Sequence, residues 1–421
     1  MKQQLGRVLS VFSGAGGLDL GLEKAGLKTV GCLEIDPVAR ETLQYNRLGW
    51  QLLEPSDVNV AAEELQPSDL GLRRRELDLI AGGPPCQPFS KAAQWQSAAR
   101  QGMRDPRAQA IHGLLGLVEA FLPKAILLEN VAGFLKGPTS AREVIEDRLK
   151  EVNASCGTSY RLETAVLDAA DFGVAQHRLR AIAVATRDGR PFAFPVSTHP
   201  DKRISAWDAL ADMPHVDWSP RPGTWTELLP SIPEGSNYLY LTGRGGGAEL
   251  FGWRSRYWSF LLKLARDRPS WTLPASPGPN TGPFHWDNRP LTVRERLRLQ
   301  GFPDEWQLLG SQGQQVKMSG NATPPPLAEA IGRELIKQLK LGDMRERESI
   351  LRCTPVLRTV RRTDCPPAFD PVPVPASFLH LAGPKPAHPG TGRGPAPRAA
   401  EAEVQDAQLR SNRVISVNPL K

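Results

Sequence analysis

A chain of 421 residues has room for two or three domains, and 40% hydrophobic with 23% charged residues describes an ordinary soluble globular protein. No uninterrupted apolar run approaches the ~18 residues that span a bilayer, and the N-terminus MKQQLGRVLSVFSGAGG lacks the apolar core and cleavage site of a secretory signal, so cytoplasmic residence is expected. The formal charge of +7 points only weakly to nucleic acid, because the segment from Asp343 onward, with 12 Lys/Arg against 8 Asp/Glu, supplies +4 of it.

In chain order, Arg7–Phe12 reads as a strand that ends in glycines, and Leu18–Ala25 as the helix after it. Thr29–Ile35 and Leu77–Ala81 are further strands. Ala108–Leu122 places Ile111, Leu114, Leu115, Val118 and Leu122 on one helical face, and the strand Ala125–Leu128 follows. Ala141–Val152 is another helix and Leu179–Ala185 a late strand. This alternation predicts an α/β domain, a doubly wound and mostly parallel sheet covered on both sides. Near Arg190 the texture changes to scattered Pro, Gly and Trp, and eight of the ten tryptophans lie between Trp207 and Trp306. Residues 191–316 are therefore expected to form a second, irregular domain. Leu327, Ile331 and Leu335 restore a helical face over Pro326–Leu341, so the first domain, 1–190, is completed by residues ~317–342. From Pro366 to Pro397 ten of 32 positions are proline, and 343–421 is expected to be a disordered tail.

The five cysteines, Cys32, Cys86, Cys156, Cys353 and Cys365, are odd in number and show no CxxC spacing. They suit neither a disulfide framework nor a zinc site, and no metal is expected. Four read as small buried apolar residues; Cys86 does not.

The turn FSGAGGLDLG (Phe12–Gly21) lies between a strand and a helix, where glycines allow a sharp bend and close approach of a ligand. Gly14, Gly16 and Gly17 do not form the GxGxxG dinucleotide pattern. Glu34 ends the second strand ~20 residues later, where an acid binds ribose hydroxyls in a doubly wound sheet. Asp57 is placed to accept from an adenine amino group, and Phe12 offers a face to the ring. Without a phosphate-binding pattern, a nucleoside lacking pyrophosphate fits better than NAD, and S-adenosylmethionine is one.

Cys86 stands in GGPPCQPFS, directly after the third strand, at the carboxyl edge where open α/β sheets bind ligands. Pro84, Pro85 and Pro88 each fix φ and limit wandering of the thiol. Glu129, in ENV, ends the next strand at the same edge. In QHRLR, leading into the last strand, Arg178 and Arg180 alternate and point one way.

In order along the chain, FSGAGG, GGPPCQPFS, ENV, QHRLR, RPLTVRERLRLQGFPDEW and GNATPPPLAEAIG resemble the motif series of DNA (cytosine-5) methyltransferases over residues ~7–340. The resemblance implies a Rossmann-like S-adenosylmethionine-dependent methyltransferase fold with a smaller target-recognition domain. It implies S-adenosyl-L-methionine as cofactor, contacted by Phe12, Gly14, Gly16, Gly17, Glu34, Asp57 and Pro84, with Asn321 helping to hold the sheet edge and cofactor pocket. Cytosine C5 is a poor nucleophile until a thiolate adds to C6, the role implied for Cys86. A proton or strong hydrogen bond at N3 falls to Glu129, and charge stabilisation at O2 to Arg180 with Arg178 nearby. No such attack is possible inside a stacked duplex, so the cytosine must be flipped out. Ser10 stands where many members have Asp, and Ala175 replaces the usual Pro before Gln176.

Gln87 and Ser90, on the cysteine loop, are candidate DNA contacts. Phe251–Trp271 mixes Arg254, Arg256, Lys263, Arg266 and Arg268 with Trp253, Tyr257, Trp258 and Trp271, a composition suited to phosphates and bases. A compact variable region without a large regulatory extension resembles the prokaryotic modification enzymes. That implies a monomer acting on double-stranded DNA in the nucleoid, protecting host DNA from a cognate restriction endonuclease with which it needs no contact. An RNA cytosine-5 methyltransferase acting on tRNA is the alternative reading.

Overall fold

The computed structural model describes residues 6–85, 109–136, 140–200, 202–221, 223–253, 257–342 and 365–382. Among these, β1 (Gly6–Val11), β2 (Leu27–Leu33), β3 (Leu79–Gly82), β4 (Ala125–Asn130), β5 (Arg161–Asp168) and β6 (Leu179–Thr186) form one sheet in the order β2-β1-β3-β4-β6-β5. The pairs β1–β2, β1–β3 and β3–β4 are parallel, whereas β6 runs antiparallel to both β4 and β5. The sheet is mostly parallel, as the alternation of elements predicts. The sequence reading misses β5 because this edge strand, RLETAVLD, is only partly covered and shows no apolar run.

Helices cover both faces. Leu9 and Val11 of β1 join a core with Val58 of α3 (Val58–Glu64), Leu114 and Val118 of α4 (Ala110–Phe121), and Ile145 and Leu149 of α5 (Arg142–Cys156). Val8, just before Leu9, points to the other face, where Leu18 and Leu22 of α1 (Gly17–Ala25) meet Leu327, Ile331 and Leu335 of α9 (Pro325–Gln338). The i, i+4 spacing in α9 builds that stripe, and prolines at its start cost no hydrogen bond because first-turn N–H groups lack helical partners anyway. On the β2 side, α2 (Pro37–Asn46) is capped by Asp36, whose Oδ1 accepts from the Val38 and Ala39 amides.

The second body begins around α6 (Ala206–Leu210). Its core is aromatic, with Trp225, Tyr238, Phe251, Phe260 and Phe284 packed largely edge to face and little regular structure around them. Both expected boundaries move inward. Phe192 packs in the first domain, and Ala193 exchanges two hydrogen bonds with the Gln338 side chain of α9, at 2.9 and 2.7 Å. At the other end, Leu297 of α7 (Val293–Leu299), Phe302 and Trp306 pack with Ala15, Leu43 and Trp50, well before α8 (Gln312–Asn321). Trp306 Nε1 donates to the Ala15 carbonyl at 3.0 Å.

The expectation of a disordered tail is corrected over 365–382. Phe378 is 2% exposed and its ring lies 5.9 Å from that of Trp225. Val372 N donates to Pro230 O at 3.0 Å and Ser231 Oγ to Pro373 O at 3.2 Å. Phe378 anchors the strap, and its prolines reduce the entropy lost on ordering, which a composition average does not register.

Candidate active site

β3 delivers Gly83, Pro84 and Pro85 to the sheet edge; Cys86, Gln87 and Ser90 lie outside the described residues. The approach to position 86 is nevertheless fastened. Asn130, 2% exposed at the end of β4, donates through Nδ2 to Pro84 O at 2.8 Å, while its Oδ1 accepts from Val131 N at 2.8 Å. The neighbouring Glu129 lies against Gly83, where an added Cβ would stand 3.1 Å from Oε2. Arg180 Nε sits 2.7 Å from Glu129 Oε1, with both side chains almost covered, although the N–H does not aim squarely at the oxygen. The ENV and QHRLR segments therefore meet, because β4 and β6 are neighbours with Glu129 opposite Ile182.

Arg178 behaves differently. It is fully buried and donates through Nη2 to Gly320 O at 2.7 Å, tying the start of β6 to the end of α8, where Asn321 is exposed. Asp168, at the end of the unforeseen β5, accepts from Arg178 N at 2.9 Å and shares a 2.8 Å contact with His177 Nδ1. The second body is stitched to the same segment, since His177 N donates to Ser270 O and Thr272 Oγ1 to His177 O. Neither Asn130 nor Asp168 stands out in the sequence by residue type; Asn130's place in ENV is the one signal that points to it.

The glycine turn forms the second half of the site. Phe12, with φ of 60°, donates its amide to Leu33 O, joining the turn to β2. Gly14 and Gly16 have φ of 54° and 75°, which a side chain would strain. Gly14 N donates to Glu34 Oε2 and Asp36 N to Glu34 Oε1, both at 2.8 Å. Burial raises the Glu34 pKa against the pull of those two bonds. Gly17 serves packing, since a Cβ there would stand 2.1 Å from Thr323 O. No side chain caps α1, so its first amides are open to a carboxylate. Asp57 caps α3 through Oδ1, which accepts from Asn59 N at 2.8 Å. Asp19, fully buried behind the turn, is pushed up to about 6 by desolvation. Arg40 does not neutralise these acids: it is engaged by Glu54 and the Glu34 and Leu53 carbonyls. Two buried acids around the glycine turn, Glu34 and Asp19, without a neutralising cation, are a setting that fits a ligand carrying positive charge.

The basic stretch divides. Arg254 and Arg256 lie outside the described residues. Lys263 and Arg266, read from sequence as phosphate partners, are instead structural. Lys263 Nζ donates to the Leu229 and Ile232 carbonyls, and burial lowers its pKa to about 8. Arg266 lies 3.3 Å from Glu234 and 4.5 Å above the Phe369 ring, and donates to Pro367 O, locking the strap down. His285 and Trp286 are buried and pack. Trp258 stays half-exposed, edge-on to Trp271 at 5.2 Å, and Trp271 lies 6.3 Å from the His177 ring. Among the described residues, a groove of about 970 Å³ lined by Asn59, His112 and Arg148 touches none of the groups that meet at the sheet edge.

The family profile described as C-5 cytosine-specific DNA methylase matches residues 6–337. The type II methyltransferase M.SacI of Streptomyces achromogenes is 36% identical over 375 residues, covering 80% of this chain and 94% of the relative. M.NgoMIV of Neisseria gonorrhoeae is 33% identical, covering 79% and 97%. Among solved structures, S. pombe Dnmt2 methyltransferase superposes with a TM-score of 0.53 at 21% identity, over 80% of this chain and all of that one, a likeness of fold.

Proposed function

The chain belongs to the C-5 cytosine-specific DNA methylase family, and we propose that it transfers a methyl group from S-adenosylmethionine to C5 of a cytosine flipped out of a specific duplex sequence, as a modification enzyme of a type II restriction system. The observation that carries this reading is the Glu129–Arg180 pair at the sheet edge, beside a Pro84 held by Asn130. That arrangement offers an acid and a cation to adjacent edge atoms of one pyrimidine ring, next to the residue that precedes Pro85 and Cys86.

The bound cofactor supplies an electrophilic methyl group on a sulfonium. Cys86 thiolate adds to C6 of the ring, turning C5 into an enamine carbon. Glu129 delivers a proton or hydrogen bond to N3, and Arg180 stabilises charge at O2. Loss of the C5 proton and expulsion of the Cys86 sulfur restore the aromatic ring. Glu34 and Phe12 hold the nucleoside, and the open amides of α1 take its carboxylate. Gln87 and Ser90 of the cysteine loop, and Trp258, Trp271, Arg254 and Arg256 of the 191–316 stretch, are assigned to the DNA side.

Purified protein supplied with labelled methyl donor and either duplex DNA or tRNA tests the substrate; label in tRNA alone defeats the reading. Cys86→Ala is expected to abolish transfer while duplex binding persists, measured by filter assay and gel shift. Bisulfite sequencing of DNA from an expressing host then gives the target base and recognition sequence.

A further inference from the structure

Asp19 is the one element of the glycine-turn region that the proposed chemistry leaves unused. It is 0% exposed, and neither carboxylate oxygen has a donor in good hydrogen-bond geometry. The Ser10 hydroxyl, itself 2.7 Å from Ser13 Oγ, and the Asp19 amide favour the ionised form, but desolvation outweighs both. The groups facing Asp19 do not neutralise it: Ser10 on β1, Cys32 on β2, Glu34 just after it, and Glu23 on its own helix supply no cation, and Arg40 is held by Glu54. An isolated buried carboxylate is costly and is ordinarily paired. The matching charge is one that the protein does not itself contain.

We propose that Asp19 is a positioning residue that selects the cationic methyl donor over its uncharged-sulfur product, acting through the Ser10–Ser13 hydroxyl pair behind the glycine turn. When ionised, Asp19 accepts from Ser10 Oγ–H, and Ser10 in turn accepts from Ser13. The turn is then backed by an uncompensated negative charge. S-adenosylmethionine carries a sulfonium and S-adenosylhomocysteine does not, so the charge favours the donor and assists departure of the product. The inference rests on the cofactor reading above. Burial raises Glu34 as well, but Glu34 faces the nucleoside that both ligands share, so its effect cancels in their affinity ratio.

The test is calorimetric titration of the full chain with S-adenosylmethionine and S-adenosylhomocysteine, from pH 5 to pH 8. In the wild type the donor-to-product affinity ratio is expected to rise about fivefold over that range, if the donor's charge lowers the Asp19 midpoint by one unit. In Asp19→Asn the ratio is expected to be low and independent of pH, and Ser10→Ala should flatten it in part. A ratio that is flat in the wild type, or a slope that survives in Asp19→Asn, overturns the proposal, as does equal weakening of both ligands. Binding of neither ligand by the wild type removes the cofactor reading itself, and this inference with it.

Discussion

Asn130 shows how a single amide can govern chemistry it never touches. Its Nδ2 holds the Pro84 carbonyl, and Pro84 lies two residues before the proposed nucleophile. Replacing it with Ala leaves a buried carbonyl unpaired and frees the loop, a loss of about 1–3 kcal/mol. Single-turnover methylation by Asn130→Ala is expected to slow roughly tenfold or more, with a smaller loss of cofactor affinity because only the Pro84 contact, and not the glycine turn, is disturbed. The same scale separates arginines that sequence places side by side. Arg180 reaches Glu129, whereas Arg178 is consumed by Gly320 O, so the two neighbours in QHRLR are assigned to substrate and scaffold respectively.

At the scale of elements, the sheet order brings the motifs together. β3 and β4 are adjacent, and β6 inserts between β4 and β5, so the ends of β3 and β4 and the start of antiparallel β6, distant in the chain, share one edge. The strap 365–382 is the element that composition hides. Phe378 fills the aromatic core of the second body beside Trp225, and Arg266 fastens the strap at its other end. Phe378→Ala is expected to cost about 3–5 kcal/mol of that body's stability. Sequence-specific duplex binding should weaken while S-adenosylmethionine binding persists, a split that gel shift and calorimetry resolve.

For the molecule as a whole, two buried groups set opposing slopes of stability against pH. Burial, with Arg289 beside it, pushes His285 down to about 4. The unfolded chain therefore binds more protons between pH 4 and 6.5, and stability is lost as pH falls through that window. Asp19, raised to about 6 by desolvation, acts in the opposite sense: its contribution is intact below about pH 4 and lost as pH rises through 6. Asp19→Asn is expected to raise the Tm of the cofactor-free protein at pH 8, by up to roughly 3 kcal/mol of stability, and to leave it unchanged at pH 4. Calorimetric scans at both pH values check this; an equal shift at each would mean that the effect is packing rather than charge.

The sequence by itself determined the α/β class, the family and the residue types that gather at the sheet edge, because strand and helix periodicities and short motifs are local properties of the chain. Glu129, Arg180 and Glu34 could be named as candidates in this way, but that Arg180 meets Glu129 and that Glu34 accepts from Gly14 appears only in the fold. Only the tertiary structure decided which charges work and which hold the protein together. Lys263 and Arg266 look like ligands of a polyanion, and Arg178 like a partner of the base, until burial is known, and β5, Asp168 and the strap carry no local signal. The physical reason is that a side chain's energy depends on what surrounds it after the chain has closed, and neighbours distant in sequence supply those surroundings.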